Sequence, residues 1–372
     1  MNKHNLIFVY LSYGRLNLGG IFLKDGKQVF QIAAIFIGTI VGAGLASGKE
    51  IANFFTVYGV RSIFGIIFTG LFYILLCSII SKISIENNLK SYSEVISLVS
   101  PNFLGKITGV VTTLYLISSA SIILAGSGAL INQFFGIPKI VGTLIMLTIA
   151  ALTLLRGTNG LVEINSVIVP TLIFVIGTIT ILYIFFSGDT LNPIKLFALE
   201  SHKANGWVIS TILYAGYNVL CCCGVIVPIS TKYGNRKTMF KGIALGAIIL
   251  TLLCVFINLM LIVNQPKIYE YEIPLLYVAD RFGKPIQVML MAIILGEMFS
   301  TEVSDVFSIA QTLKQSFNLN FKKGIFLVLL IALPISQIGF SNLIKTLYPI
   351  FGALSLVFIV QCFIFYLKKG EK

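Results

Sequence analysis

Residues Gly38–Glu50 read GTIVGAGLASGKE. Glycines stand at 38, 42, 44 and 48, and Lys49 and Glu50 follow at once. The stretch lies inside an apolar run that otherwise suits a lipid bilayer. Each interior glycine costs a helix roughly 1 kcal/mol against alanine, so this cluster makes local unwinding cheap. Two readings follow. Gly38 with Gly42, and Gly44 with Gly48, form small-xxx-small pairs that let two helices approach closely. Alternatively the helix breaks here, exposing N–H and C=O groups that lipid cannot satisfy but a bound solute and ion can. Soluble phosphate motifs fail. Counting back from Gly48-Lys49 puts Ala43 where a P-loop needs glycine, and Glu50 stands where it needs a hydroxyl residue.

The rest of the chain sets the context. Of its 372 residues 57% are hydrophobic and 11% charged, and mean hydropathy is +0.95. Soluble domains carry roughly 25% charged residues, so the chain reads as an integral membrane protein. Apolar runs reach the ~20 residues that a helix needs to cross a bilayer core. Period-two alternation is absent, which argues against a β-barrel. The net charge of +13 follows from lysines and arginines in the connections, as in cytoplasmic loops, and implies no nucleic-acid partner. Six cysteines lie in apolar segments. Consecutive helical residues such as Cys221–Cys223 point about 100° apart and cannot share one ion, so they read as packing residues. No disulfide framework and no resident metal or other cofactor is expected.

Ten apolar segments can be counted, near 29–56, 62–81, 104–134, 138–155, 163–187, 206–230, 239–264, 285–313, 324–340 and 343–367. With the N-terminus cytoplasmic, eighteen of the 27 Lys and Arg fall inside, eight outside, and Lys49 lies within the first span. That asymmetry predicts ten spans with both termini in the cytoplasm. The expected organisation is a cytoplasmic tail 1–28, a five-helix repeat 29–188, an extracellular connection 189–205, a second five-helix repeat 206–367 and a cytoplasmic tail 368–372. An odd number of spans per half forces the halves into opposite orientation, the inverted-repeat plan of many secondary transporters. The sixth span carries YAGYNVLCCCG, an irregularity placed like that of the first. Glycine-interrupted spans in corresponding positions point to a binding site. The expected fold is therefore all-α, a 5+5 inverted repeat with discontinuous first and sixth helices.

The run GTIVGAGLASGKEIANFFTVYG, together with YAGYN in the sixth span, resembles the YkvI-like family of bacterial membrane proteins. That family is similar to the amino acid–polyamine–organocation superfamily, which has the fold of the bacterial leucine transporter. The resemblance runs from about residue 27 to the end. It implies uptake or export of amino acids or related amines, driven by sodium or protons, with a site lined by the first, third, sixth and eighth spans. It does not supply a substrate.

Candidate residues follow. A break near Val41, Gly42, Ala43 and Gly44 would offer carbonyls of Gly38 and Val41 to a cation and N–H groups to a carboxylate. In the third span, Tyr115, Ser118, Ser119 and Ile122 share one face, and the resemblance makes Tyr115 a partner for substrate. In the sixth, Tyr214, Gly216, Tyr217 and Asn218 flank the irregularity, and by resemblance Tyr214 or Tyr217 lids the substrate. Asn218 needs a partner, either substrate or a neighbouring carbonyl. In the eighth, Glu297, Ser300, Thr301, Ser304 and Ser308 form one stripe with Asp305 at its edge, while Glu302 points elsewhere. The resemblance implies that Ser300, Thr301 and Ser304 complete a sodium site. Glu297 and Asp305 are the competing proton carriers, since ionisable groups within spans usually face a cavity or a partner. The fifth span has no lysine, where some proton-coupled relatives use one. Lys49 and Glu50 are gate candidates, with Lys345 as a partner for Glu50, or else they form a solvated helix end.

The leading expectation is a secondary transporter for a small amine-bearing solute, in the bacterial cell membrane. The alternative is a non-transporting membrane protein, a sensor or assembly partner, that keeps the fold. An enzyme is not expected: His4 and His202 are the only histidines, and no HExxH or GxSxG occurs.

Overall fold

Apolar helices account for most of the described residues. The computed structural model describes residues 21–100, 103–156, 161–186, 199 and 201–370. The predicted tail 1–28 lies largely outside the described residues, but helix begins at Ile21, so residues 21–28 extend the first helix. The expected connection 189–205 is also mostly outside them.

The first apolar segment is three pieces, α1 (Ile21–Ile40), α2 (Ala43–Ala46) and α3 (Lys49–Phe54), followed by a 3-10 turn over Thr56–Arg61. Then come α4 (Ser62–Glu86), α5 (Tyr92–Val99), α6 (Phe103–Phe135), α7 (Lys139–Arg156) and α8 (Leu161–Phe186). The second part holds α9 (Trp207–Tyr233), α10 (Arg236–Val263), a 3-10 turn Lys267–Glu270, α11 (Pro274–Asp280), α12 (Lys284–Phe317), α13 (Phe321–Ser336) and α14 (Phe340–Gly370). Among the described residues, six helices are long and apolar enough to cross a membrane, and Gly26–Ile40, Lys139–Leu155 and Pro170–Phe186 are shorter apolar helices.

Outward faces remain apolar. On α4, Phe64, Phe68, Leu71 and Leu75 are exposed, while Ile66, Tyr73, Cys77 and Ile80 face the interior. Spacings of three and four residues put each set on one side of the helix. A large exposed apolar surface is what lipid, not water, would cover. Helix starts use local caps: the Ser91 hydroxyl accepts from Glu94 N at 3.3 Å, and Asn235 Oδ1 accepts from Lys237 N and Thr238 N at 3.0 and 3.3 Å.

The expected break in the sixth segment does not occur. Residues 207–233 form one helix through YAGYN. Asn218 satisfies itself within it, its amide donating to Tyr214 O at 3.0 Å. Gly216 serves close packing, since a Cβ there would lie 2.8 Å from Ser355 Oγ and 2.9 Å from Gly352 O of α14. The small residues of this helix bring two helices together rather than unwind one.

Helix pairing sets the site's position. α1 packs on α10, and α9 packs on α4; α6 packs on α7, and α12 on α13; α6 meets α14, and α12 meets α8. α4 also packs on α10, and α6 on α12. The short α2 rests against α12 and α6, so the interruption of the first helix lies at the centre of the bundle.

Candidate functional site

The α1 helix stops at Ile40, where Val41 N still donates to Ile37 O at 2.8 Å. Gly42 is extended (φ −111°, ψ −172°), and α2 starts at Ala43. A helix end and a helix start thus face one another across two residues, each with orphan backbone groups. A Cβ on Gly42 would meet nothing within 4 Å, so open space adjoins the break. A second interruption follows at Ser47–Gly48, where Gly48 takes a left-handed conformation (φ 77°). A Cβ there would also come within 2.8 Å of Leu275 Cγ.

The interrupted stretch is held from the other end of the chain. Leu275 N donates to Ser47 O at 3.0 Å, and Lys49 Nζ donates to Tyr271 O at 2.6 Å. Ser47 Oγ donates to Gly44 O at 2.9 Å. Lys49 is therefore a buried strut to the segment before α11 rather than a residue at a solvated end.

Glu50 also departs from the expected position. It is 3% exposed. Its Oε2 accepts from Tyr214 Oη at 3.0 Å and its Oε1 from Tyr348 Oη at 2.7 Å. Its side chain lies against Gly44, where a Cβ would overlap the carboxylate and stand 2.6 Å from Cγ. Lys345 is not its partner; it lines a separate cavity of about 480 Å³ with Phe54, Tyr58, Lys203, Leu213 and Pro349. The physical reason is the second interruption, which turns α3 so that Glu50 points inward.

Rings join Glu50 to the break. Tyr217 stacks on Tyr348 at 3.8 Å, Tyr115 lies 5.4 Å from Tyr217 and 5.7 Å from Phe351, and Phe54 and Phe55 lie 5.3 and 5.1 Å from Tyr214. Tyr115 interacts with the Cys221 thiol, whose Sγ in turn donates to Thr39 O at 3.7 Å. Ser119 lies beside Asp305, whose Oδ2 is buried and unpartnered among the described residues. The structure therefore brings together Tyr115, Tyr217, Ser119 and Asp305, joined through Cys221 and Thr39 to the end of α1 just before Val41 and Gly42, with Tyr214 one layer away on Glu50.

The eighth-segment stripe is split. Ser300 is buried, Thr301 half-buried and Ser304 exposed. Ser304 Oγ donates to Ser300 O and Ser308 Oγ to Ser304 O, at 2.9 and 2.8 Å. Gly38 is half-buried within α1. Glu297 is buried, with Oε2 unpartnered among the described residues. Glu302, set aside on sequence, is fully buried with neither oxygen partnered among them. Tyr348 and Phe54 were not legible as site residues. For Tyr348 the available signal was a phenol with a following proline inside an apolar span. No group of three His, Cys, Asp or Glu that could hold a metal ion occurs among the described residues.

No family model matches the chain. The uncharacterized membrane protein YkvI of Bacillus subtilis (strain 168) is 31% identical over 330 residues, covering 88% of this chain and 93% of that protein. The chain belongs to the YkvI family. Two solved structures share the fold. The inward-facing conformation of Mhp1 superposes with a TM-score of 0.67 at 15% identity, covering 90% of this chain and 76% of that one. The Eremococcus coleocola manganese transporter, in complex with an aromatic bis-isothiourea compound, gives 0.62 at 16% identity, covering 94% and 81%. This YkvI-family chain is thus a membrane protein with the fold of the leucine-transporter group.

Proposed function

We propose that the chain is an ion-coupled secondary transporter for a small amine-bearing solute, an amino acid or a relative of one. The carrying observation is the open space beside Gly42 at a buried helix break. Irregular backbone at membrane depth is tolerated where it lines a cavity or a ligand. The carboxylate of Asp305 and the rings of Tyr115 and Tyr217 suit a cationic amine, by charge and by ring quadrupole.

The helix pairings support alternating access. Exchanging the first with the sixth apolar segment, the second with the seventh, and so on, turns α1–α10 into α9–α4, α6–α7 into α12–α13, and α6–α14 into α12–α8. The short α5 and α11 also fall at equivalent points, between the second and third and the seventh and eighth segments. This favours ten spans in two inverted halves of five, with one half rocking on the other. Only the first span is discontinuous in this reading. The bilayer is the cell membrane and both termini are cytoplasmic, as the charge asymmetry predicts. On the outer side α9 and α14 interlock at Gly216 and Gly352, which agrees with a state open to the inside.

The test is a thermal-shift screen of amino acids and polyamines, with and without sodium, on the wild type and on Gly42→Val. The Cβ of the new side chain meets nothing within 4 Å, so the variant should fold and lose the stabilisation that wild type gains from its solute. Undiminished ligand shifts in Gly42→Val would move the site elsewhere. No shift from any solute in the wild type would favour the non-transporting reading.

A further inference from the structure

A buried carboxylate normally has a cation beside it or must surrender its charge. Among the described residues, Glu50 has no such cation. The titratable groups that face it are Tyr214 and Cys221 of α9, with Tyr217 behind them, Tyr73 of α4, Cys254 of α10 and Tyr348 of α14. All are phenols or thiols. Its neighbour Lys49 is turned away onto the Tyr271 carbonyl. Glu272, on that same strut, pairs with Lys139 at 3.1 Å.

Glu50 also ties three helices together. It sits on α3 and accepts one hydroxyl from α9 and one from α14. One ring separates it from the outer cavity: Phe54 lines that cavity and lies 5.3 Å from Tyr214 and 6.1 Å from Tyr348. A small displacement of Phe54 would connect Glu50 to water without disturbing the break at Gly42.

We propose that Glu50 is a proton-binding site whose charge state latches α3 to α9 and α14. With the carboxylate ionised, both oxygens accept and the latch is closed. Uptake of one proton from the outer cavity makes one oxygen an O–H, which can no longer accept from its tyrosine in the same geometry, and the latch opens. Release returns the proton to water. Calling this proton the coupling ion rests on the transporter reading above; the binding itself does not.

The experiment is infrared spectroscopy of the purified full-length protein, titrated from acid to alkaline buffer, with the proton as the probe. The protonated-carboxyl C=O band of the wild type should contain a component that Glu50→Gln lacks and Glu297→Gln keeps. An unchanged band in Glu50→Gln overturns the proposal. Should Glu50→Gln fail to fold, Tyr348→Phe keeps the carboxyl and removes one donor, and it should shift the pH at which that component appears; an unshifted midpoint overturns the proposal equally. In proteoliposomes, Glu50→Gln should lose accumulation driven by a pH gradient yet keep solute counterflow. Gradient-driven accumulation equal to wild type would remove the coupling role. Absence of any uptake by the wild type would defeat the transporter reading while the infrared result still decides the site.

Discussion

Gly44 and the Glu50 carboxylate share one pocket of space. The residue is glycine because a carboxylate, not a second helix, fills the place of its side chain. Overfilling a packed interior costs about 1–3 kcal/mol. Gly44→Ala should therefore lower the thermal midpoint and displace Glu50, whereas Gly42→Ala, which meets nothing within 4 Å, should leave it nearly unchanged. Equal effects in a melting experiment would mean that the two glycines are not differentiated in this way. Sequence spacing paired Gly44 with Gly48 as a packing motif, and no pattern along the chain could reveal that Glu50 folds back onto Gly44. Burial of Glu50 depends on tyrosines at 214 and 348, far away in sequence. Tyr348→Phe leaves Oε1 of a buried carboxylate without its donor. Losing a hydrogen bond to a charged group costs about 1.5–3 kcal/mol, which a denaturation curve can read.

At the scale of elements, the break of the first helix was legible and the expected break of the sixth was not real. Both carry glycine and polar residues, but their surroundings differ. Gly42 faces open space, while Gly216 is pressed against α14. Sequence gives the cheapness of unwinding but not whether a partner helix needs the glycine for contact. The second interruption, at Gly48, is fixed by two demands: φ of 77° and the approach of Leu275. A non-glycine residue in a sparsely populated backbone region costs of order 1–3 kcal/mol, and here a steric overlap adds to it. Gly48→Ala should destabilise the protein by at least that amount in thermal unfolding. Gly352 is also tightly packed: a Cβ would stand 2.9 Å from Leu213 C, so Gly352→Ala should separate α9 from α14 and lower the thermal midpoint.

Across the whole molecule, hydropathy and charge were enough to read a membrane protein with about ten apolar segments, because bilayer thickness fixes segment length. What they could not supply was the contact map, in which segments far apart in sequence pair in symmetric sets. The polar stripe of α12 shows the limit. Periodicity grouped Ser300 with Ser304, yet one is buried and the other exposed, because the neighbours of α12 change along its length. Charge asymmetry makes a separate forecast: a fluorescent protein fused after Lys372 should fluoresce, and a periplasm-dependent phosphatase at the same point should be inactive. The reverse result would invert the topology and place the cavity lined by Phe54 and Lys345 on the cytoplasmic side.

The strut from Lys49 to Tyr271 joins residues 222 positions apart, and Leu275 reaches Ser47 across a similar distance. Nothing within the first five helices provides these two bonds. During synthesis the first span enters the membrane long before residue 275 exists. Chains fold as they emerge, so the shape of residues 47–49 is decided after the rest of the first half has assembled. The second interruption, at Ser47–Gly48, is thus a late event in biogenesis, completed by the second half of the chain.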